Sequence, residues 1–172
     1  NSSRCLTAAV CGRCAKACPT GAVSVVNGMI RFDRAKCTGC NACVRACPSG
    51  AQTVYGETMS VDDILRRVEE DGVFYSRSGG GVTLSGGEAL TQPEFALALL
   101  REARRRHIHT TIETCGHYPT EVLDEACRSL DALIFDVKCL DSERHKRFTG
   151  VGNELILKNI NHVFEHVPDL PV

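Results

Sequence analysis

The chain has 172 residues, room for one domain or for a small one beside a larger one. Its 20 Lys and Arg nearly cancel 21 Asp and Glu, so the formal net charge of −1 argues against nucleic acid or an acidic membrane surface as a partner. Apolar runs such as Phe95–Leu100 fall far short of the ~20 residues that span a bilayer, and no signal peptide is visible. Eleven cysteines in such a chain then imply a reducing, cytoplasmic, low-oxygen setting.

The first 57 residues carry a cysteine array. Cys37, Cys40, Cys43 and Cys47, followed by Pro48, have the C-x2-C-x2-C-x3-C-P spacing that holds a cubane iron–sulfur cluster. Twenty-nine positions earlier, Cys11, Cys14, Cys18, Pro19, Gly21 and Ala22 repeat Cys40, Cys43, Cys47, Pro48, Gly50 and Ala51. The copy breaks once: Ala8 stands where a ligand equivalent to Cys37 is due, and Cys5 lies three residues before it. Three thiolates at this spacing line one loop, and the fourth, before proline, reaches the other cluster. Cys37, Cys40 and Cys43 are therefore expected to pair with Cys18, and Cys11, Cys14 and Cys47 with Cys5, giving two [4Fe–4S] clusters. Zinc knuckles leave the trailing Cys-Pro unexplained, and a chain with a large ordinary core needs no disulfide scaffold. Between the halves, Ala22–Val26 and Met29–Phe32 flank Asn27-Gly28, the signal for a hairpin with a type I′ turn.

From residue 58 helices and strands alternate. Val61, Ile64, Leu65 and Val68 form a helical stripe that Ser60 caps with Asp63. Glycine-rich Ser78–Gly81 leads into a strand, Val82–Ser85. Thr91 and Glu94 open a helix with Pro93 in its first turn and Phe95, Ala98, Leu99 and Ala103 inward. Thr110–Thr114 is a strand, and Pro119–Leu130 a helix with Val122, Leu123, Ala126 and Cys127 inward. Ala132–Val137 is a strand, and a last helical region from about Asp141 buries Ile156, Ile160, Val163 and Val167. Arg101 and Arg104–Arg106 read as a solvated helix end, Cys115 as a residue bordering the site and His145 as structural. This alternation predicts an α/β fold with a parallel sheet whose functional groups gather at the carboxyl ends of its strands. Polar residues stand there: Ser85-Gly86-Gly87-Glu88, then Glu113-Thr114-Cys115, then Asp136-Val137-Lys138. Paired glycines let backbone amides approach a ligand, and a carboxylate accepts from an ammonium group.

The run Gly79-Gly80-Gly81-Val82-Thr83-Leu84-Ser85-Gly86-Gly87-Glu88 with Gln92-Pro93-Glu94-Phe95 resembles the activating enzymes of glycyl radical enzymes. These are radical S-adenosylmethionine proteins related to the pyruvate formate-lyase activase, here of the subgroup with an inserted two-cluster ferredoxin module. Thr111–His117, Ile134–Lys138, Asp141, His145, Thr149–Val151, Asn153, Ile156-Leu157 and Asn159 resemble the family's following segments. The resemblance implies a partial (β/α) radical S-adenosylmethionine barrel over residues 58–172 behind a ferredoxin-like module over 1–57. It implies that Gly86, Gly87 and Glu88 hold the amino group of S-adenosylmethionine, that Lys138 meets its carboxylate, and that Ser85, Asp136 and Val137 line the same pocket. It also implies a monovalent cation site at Glu113–Thr114. The partners it implies are a glycyl radical enzyme as protein substrate and an external electron donor such as flavodoxin or ferredoxin, feeding electrons through the two clusters. The family's radical-generating [4Fe–4S] cluster needs C-x3-C-x2-C, a spacing this sequence does not contain. That third cluster is thus expected in the full-length protein only, and no catalytic residue is assigned within the chain. The sequence starts at Asn1 rather than methionine, and Pro168–Val172 reads as the lead-in to a further strand, so both ends are expected to be cut and the fragment to be inactive alone. A ferredoxin-type electron carrier would have no use for the strand-end groups. A radical enzyme acting on a small molecule would differ in its neighbouring gene.

Overall fold

A computed structural model describes residues 2–7 and 10–172; the broken repeat position Ala8 and the terminal Asn1 lie outside the described residues. The chain divides into two compact units, Asn1–Thr58 and Met59–Val172.

In the first unit a short helix α1 (Arg13–Lys16) and a hairpin of β1 (Val23–Val26) and β2 (Met29–Phe32) precede a second short helix, α2 (Ala42–Arg45). The strands pair antiparallel with Val26 opposite Met29. Asn27 (φ 51°) and Gly28 (φ 72°) both adopt left-handed backbone, the type I′ turn expected from their identity. The sequence repeat recurs in the backbone. Gly12 (φ 55°) and Asn41 (φ 59°) each turn the chain into a helix through the left-handed region, which glycine and asparagine tolerate best. Gly21 and Gly50 each donate to the carbonyl of the cysteine three residues earlier, both at 3.4 Å. Ala22, Val23 and Ala51 are buried and form what core this small unit has.

The second unit opens with α3 (Val61–Glu69), where Ser60 and Asp63 form the reciprocal capping box expected of them. Then follow α4 (Gly72–Ser78), β3 (Gly81–Leu84), α5 (Pro93–Arg105), β4 (His109–Thr114), α6 (Thr120–Cys127), β5 (Ala132–Phe135), α7 (Ser142–Thr149) and α8 (Glu154–His166). The strands form a parallel sheet in the order β3-β4-β5, with Leu84 opposite Ile112 and Thr114 opposite Phe135. Leu133 N–H donates to the Pro171 carbonyl at 2.8 Å, so the last described residues run along the outer edge of β5.

Along β4, Thr110, Ile112 and Thr114 are buried while His109 and Glu113 are exposed. One face of the sheet is packed under helices. Ile112 and Leu133 meet Leu100 of α5, Leu123 of α6 and Val163 of α8. The other side of α5 places Leu99 and Ala103 against Leu65 of α3. Each such side chain, fully removed from water, contributes about 1.5–3 kcal/mol. The opposite face of the sheet, with Thr83, Glu113 and Ile134, is open. Parallel sheets cover both faces or close into a barrel, and an open face of this kind is what part of a barrel's inner wall presents.

Several elements differ from the sequence reading. Helix α4 has no amphipathic stripe, since Val73 and Phe74 are exposed, and so gave no periodic signal. Thr91 does not cap α5: it ends a 3-10 turn, Ala89–Thr91, and its hydroxyl donates to the Glu88 carbonyl at 2.8 Å. Ala96, Leu99, Leu100 and Ala103 form the buried stripe of α5, with Phe95 and Ala98 at its margin. The last helical region is two helices, separated at Gly150, whose φ of 92° ends α7. Arg101 and Arg104–Arg106 are ion-paired rather than merely solvated. Arg106 joins Asp62, Glu69 and Glu102 and thereby ties α5 to α3, Arg101 meets Glu125 and Arg104 meets Asp131.

Candidate functional sites

The eight cysteines of the first unit sort into two sets. One cavity, of about 580 Å³, has Cys18, Cys37, Cys40 and Cys43 in its wall; a second, smaller one has Cys5, Cys11, Cys14 and Cys47. Each Cys-Pro cysteine thus lines a cavity together with three cysteines of the other half. None of the eleven cysteines is joined in a disulfide. The two crossing cysteines sit among donors. Ala51 N–H donates to Cys47 Sγ at 3.2 Å, with Ser49 Oγ at 3.7 Å, and Thr20 Oγ1 lies 3.7 Å from Cys18 Sγ. Backbone N–H groups, that of Gln52 foremost, lower the Cys47 thiol to about 7, and that of Val23 leads in lowering Cys18. Burial pushes Cys14 the other way, with the neighbouring Cys47 and Cys5 adding to it. Each cavity thus has four thiols in its wall, one of them among N–H groups that favour the thiolate form. The two surroundings differ: Cys37 and Cys40 are exposed, whereas Cys14 is buried.

The strand-end residues of the second unit come together as the parallel register requires. Ser85, just past β3, donates through Oγ to Glu113 Oε2 at 2.9 Å. Asp136 N–H continues the ladder beyond β5, donating to the Thr114 carbonyl at 2.8 Å. Lys138 forms a salt bridge with Asp136, which with the charge of Glu113 raises the lysine pKa. Glu113, Asp136 and Lys138 thus lie across the carboxyl ends of β4 and β5 with their charges in mutual reach. Val137 is exposed beside them. Gly86 (φ 80°) and Gly87 (φ 32°) are left-handed, and a Cβ built on either meets no atom within 4 Å. The loop therefore demands glycine for its conformation and leaves its backbone open to a ligand.

Glu88, expected to meet the ligand's ammonium group, makes three bonds within the protein. Oε1 accepts from Thr114 Oγ1 at 2.8 Å and from Leu90 N–H at 3.3 Å, and Oε2 accepts from Cys115 N–H at 2.9 Å. Thr114 Oγ1 in turn accepts from Gly116 N–H at 3.0 Å. Partial burial opposes ionisation, but the bonds from Cys115, Thr114 and Leu90 outweigh it and hold the carboxyl below its ordinary range. Glu88 is a brace between the glycine loop and the end of β4. Cys115 borders the site, as expected, and burial beside Glu88 pushes its thiol up. Cys127 is core, its thiol raised to about 11 by burial. Beneath the brace the Tyr118 hydroxyl is buried and without a hydrogen-bond partner among the described residues.

Two asparagines of the α8 segment fix the loops that carry these groups. Asn159 Nδ2 donates to the Gly116 and Tyr118 carbonyls at 2.8 and 2.9 Å, and its Oδ1 accepts from Thr120 Oγ1. Asn153 Nδ2 donates to the Cys139 and Leu140 carbonyls, both at 2.9 Å. Buried asparagines at these positions were visible in the sequence, but nothing local announced which carbonyls they would reach. His145 is structural: it is 5% exposed, its Nδ1 lies 2.8 Å from the Val151 carbonyl, and the His145 carbonyl accepts from Thr149 Oγ1 at 2.9 Å. No helix among the described residues is long and apolar enough to cross a membrane.

One unit carries a parallel sheet with polar groups at its strand ends, and the other carries two cavities each lined by four cysteines. The family model of the Radical SAM superfamily matches residues 34–172, and that of the 4Fe-4S dicluster domain matches residues 5–52. The chain belongs to the radical S-adenosylmethionine superfamily and contains an iron–sulfur dicluster domain. It is 85% identical, over its whole length, to the (2S)-3-sulfopropanediol sulfolyase activating enzyme of Bilophila wadsworthia, covering 57% of that protein. It is 48% identical to the isethionate sulfite-lyase activating enzyme of Nitratidesulfovibrio vulgaris, again over all of the chain and 57% of the relative. Over 91% of the chain and 51% of the relative it is 45% identical to the choline trimethylamine-lyase activating enzyme of Oleidesulfovibrio alaskensis. The chain thus spans little more than half the length of these relatives.

Proposed function

We propose that the chain is part of an activating enzyme that reductively cleaves S-adenosylmethionine and generates a glycyl radical on a partner enzyme by hydrogen abstraction. The observation that carries the reading is the strand-end set on the open sheet face: Ser85 bonded to Glu113, and Lys138 paired with Asp136, around a glycine loop with exposed backbone. In this reading the backbone of Gly86 and Gly87 receives the amino group of S-adenosylmethionine. Lys138 meets its carboxylate, Glu113, Thr114 and Asp136 supply the surrounding oxygens, Val137 lines the wall, and Glu88 holds the loop in place. S-adenosylmethionine bound there supplies the radical chemistry once an electron reaches it; the protein orients it and keeps water and stray acceptors away.

Residues 1–57 form the ferredoxin-like module in this proposal, with one [4Fe–4S] cluster on Cys18, Cys37, Cys40 and Cys43 and another on Cys5, Cys11, Cys14 and Cys47. They pass electrons inward from an external donor such as flavodoxin or ferredoxin, toward the radical-generating cluster of the full-length protein. Residues 58–172 are part of the barrel. The relatives' names support a glycyl radical enzyme as partner, and the 85% identity favours a sulfopropanediol sulfolyase. The test is the intact, cluster-loaded protein with a strong reductant and S-adenosylmethionine. 5′-Deoxyadenosine is expected from the unsubstituted protein and is lost when Lys138 and Asp136 are both replaced by alanine. Equal yield from both proteins would remove the strand-end site from the reaction.

A further inference from the structure

Helix α7 is held firmly at both ends. Asp141 Oδ1 accepts from Arg144 N–H at 2.7 Å at its start, buried His145 and Thr149 lock its end onto Val151, and Asn153 holds the loop before it. Its remaining positions, Glu143, Arg144, Lys146, Arg147 and Phe148, are all exposed. Together with Asp141 they line an open groove of about 790 Å³. Phe148 is 75% exposed and Leu140 beside the helix 74%.

Most arginines of this unit are ion-paired, and those of this helix are not. Arg66, Arg101, Arg104, Arg105, Arg106 and Arg128 of the same unit each form a salt bridge. The guanidinium groups of Arg77, Arg144 and Arg147 form none among the described residues, and two of these three lie on α7. Of the acids on the groove, Asp141 is engaged as the helix cap and Glu143 alone points outward; Lys146 acts on Glu154 at longer range. Arginine and aromatic side chains together are what protein interfaces select, because each offers area and directional bonds at a modest entropy cost. The helix is the element that follows β5 and Asp136–Lys138 in the chain, so in a parallel sheet its first turn comes off the carboxyl end of β5.

We propose that the outward face of α7, formed by Arg144, Lys146, Arg147 and Phe148, is a docking surface for the protein substrate. It takes an acidic segment of that partner with an apolar side chain seated on Phe148. The assignment rests on the proposed function, since it needs a protein substrate whose reacting residue must reach the strand ends. The unpaired cations of this helix attract an acidic segment and orient it, while the aromatic contact sets how long it stays.

The experiment uses the intact, cluster-loaded protein and the sulfopropanediol sulfolyase as probe. Partner-free 5′-deoxyadenosine formation and the glycyl radical signal against sulfolyase concentration are measured for Arg144→Glu/Arg147→Glu, Arg144→Lys/Arg147→Lys and Phe148→Ser. The charge-reversed protein is expected to need about tenfold more sulfolyase for half-maximal activation, and to lose the salt sensitivity of the unsubstituted protein. Its partner-free cleavage stays unchanged. The lysine pair restores activation, and Phe148→Ser weakens it without altering the salt dependence. An unchanged sulfolyase dependence in the charge-reversed protein overturns the proposal. So does parallel loss of partner-free cleavage, which would make this face internal to the full-length protein. If the unsubstituted protein cleaves no S-adenosylmethionine, the underlying reading fails and the docking surface with it.

Discussion

Replacing Glu88 with alanine separates a brace from a ligand group. The substitution removes the acceptor of Thr114 Oγ1 at 2.8 Å, of Cys115 N–H at 2.9 Å and, more weakly, of Leu90 N–H at 3.3 Å. Hydrogen bonds to a charged group contribute about 1.5–3 kcal/mol each, and water entering the half-buried site recovers part of the loss. A local destabilisation of about 2–3 kcal/mol remains, equivalent to roughly 30- to 150-fold faster opening of the β4 end. Amide hydrogen exchange reads this directly: Cys115 N–H should lose protection by that factor, while the buried strand centre at Ile112 keeps its own. Glu88→Gln should fall between, because its amide retains one acceptor and sets a donor against either Cys115 N–H or Thr114 Oγ1. S-adenosylmethionine affinity should fall with the protection in both variants. Unchanged Cys115 protection together with lost affinity would refute the reasoning and return Glu88 to the ligand.

Further outcomes follow from the same geometry. Because the folded pKa of Glu88 lies below its ordinary value of 4.5, the brace contributes fully above that value and is lost only as pH falls through the depressed one; Cys115 protection should be flat at neutral pH and decline only in acid. Cys18→Ala/Cys40→Ala strikes one cluster twice and should leave about four of about eight irons, whereas Cys47→Ala/Cys40→Ala strikes both and should leave almost none. Equal iron loss in the two proteins would break the crossed pairing. Gly81→Ala places a Cβ 1.9 Å from the His109 carbonyl oxygen, a backbone atom that cannot step aside. It should lower the stability of the second unit by about 3 kcal/mol, read from its urea midpoint.

The hairpin at Asn27-Gly28, the doubled cysteine loops and the Ser60 capping box were legible because each is encoded within a few residues. The crossed sorting of the cysteines was legible too, since it follows from where proline sits after Cys18 and Cys47. The strand-end set could be placed once the alternation of elements implied a parallel sheet. The direction of the Glu88 side chain was not legible, because its partners Thr114 and Cys115 are 26 and 27 positions away and meet it only through the β3–β4 register. For the same reason Asn153 and Asn159 carried no visible role, and Arg106 passed for a solvated cation although it binds acids on two helices. Helix α4 escaped because a helix that packs little has no stripe to show.

The central claim is radical transfer to a protein partner. Its most direct measurement is electron paramagnetic resonance of the sulfopropanediol sulfolyase after anaerobic mixing with the intact, cluster-loaded protein, a reductant and S-adenosylmethionine. The account expects a glycine-centred radical on the sulfolyase, formed together with 5′-deoxyadenosine and abolished by Lys138→Ala/Asp136→Ala. Deoxyadenosine formed without any radical on the sulfolyase would contradict that choice of partner, and a full radical yield from the double variant would contradict the site.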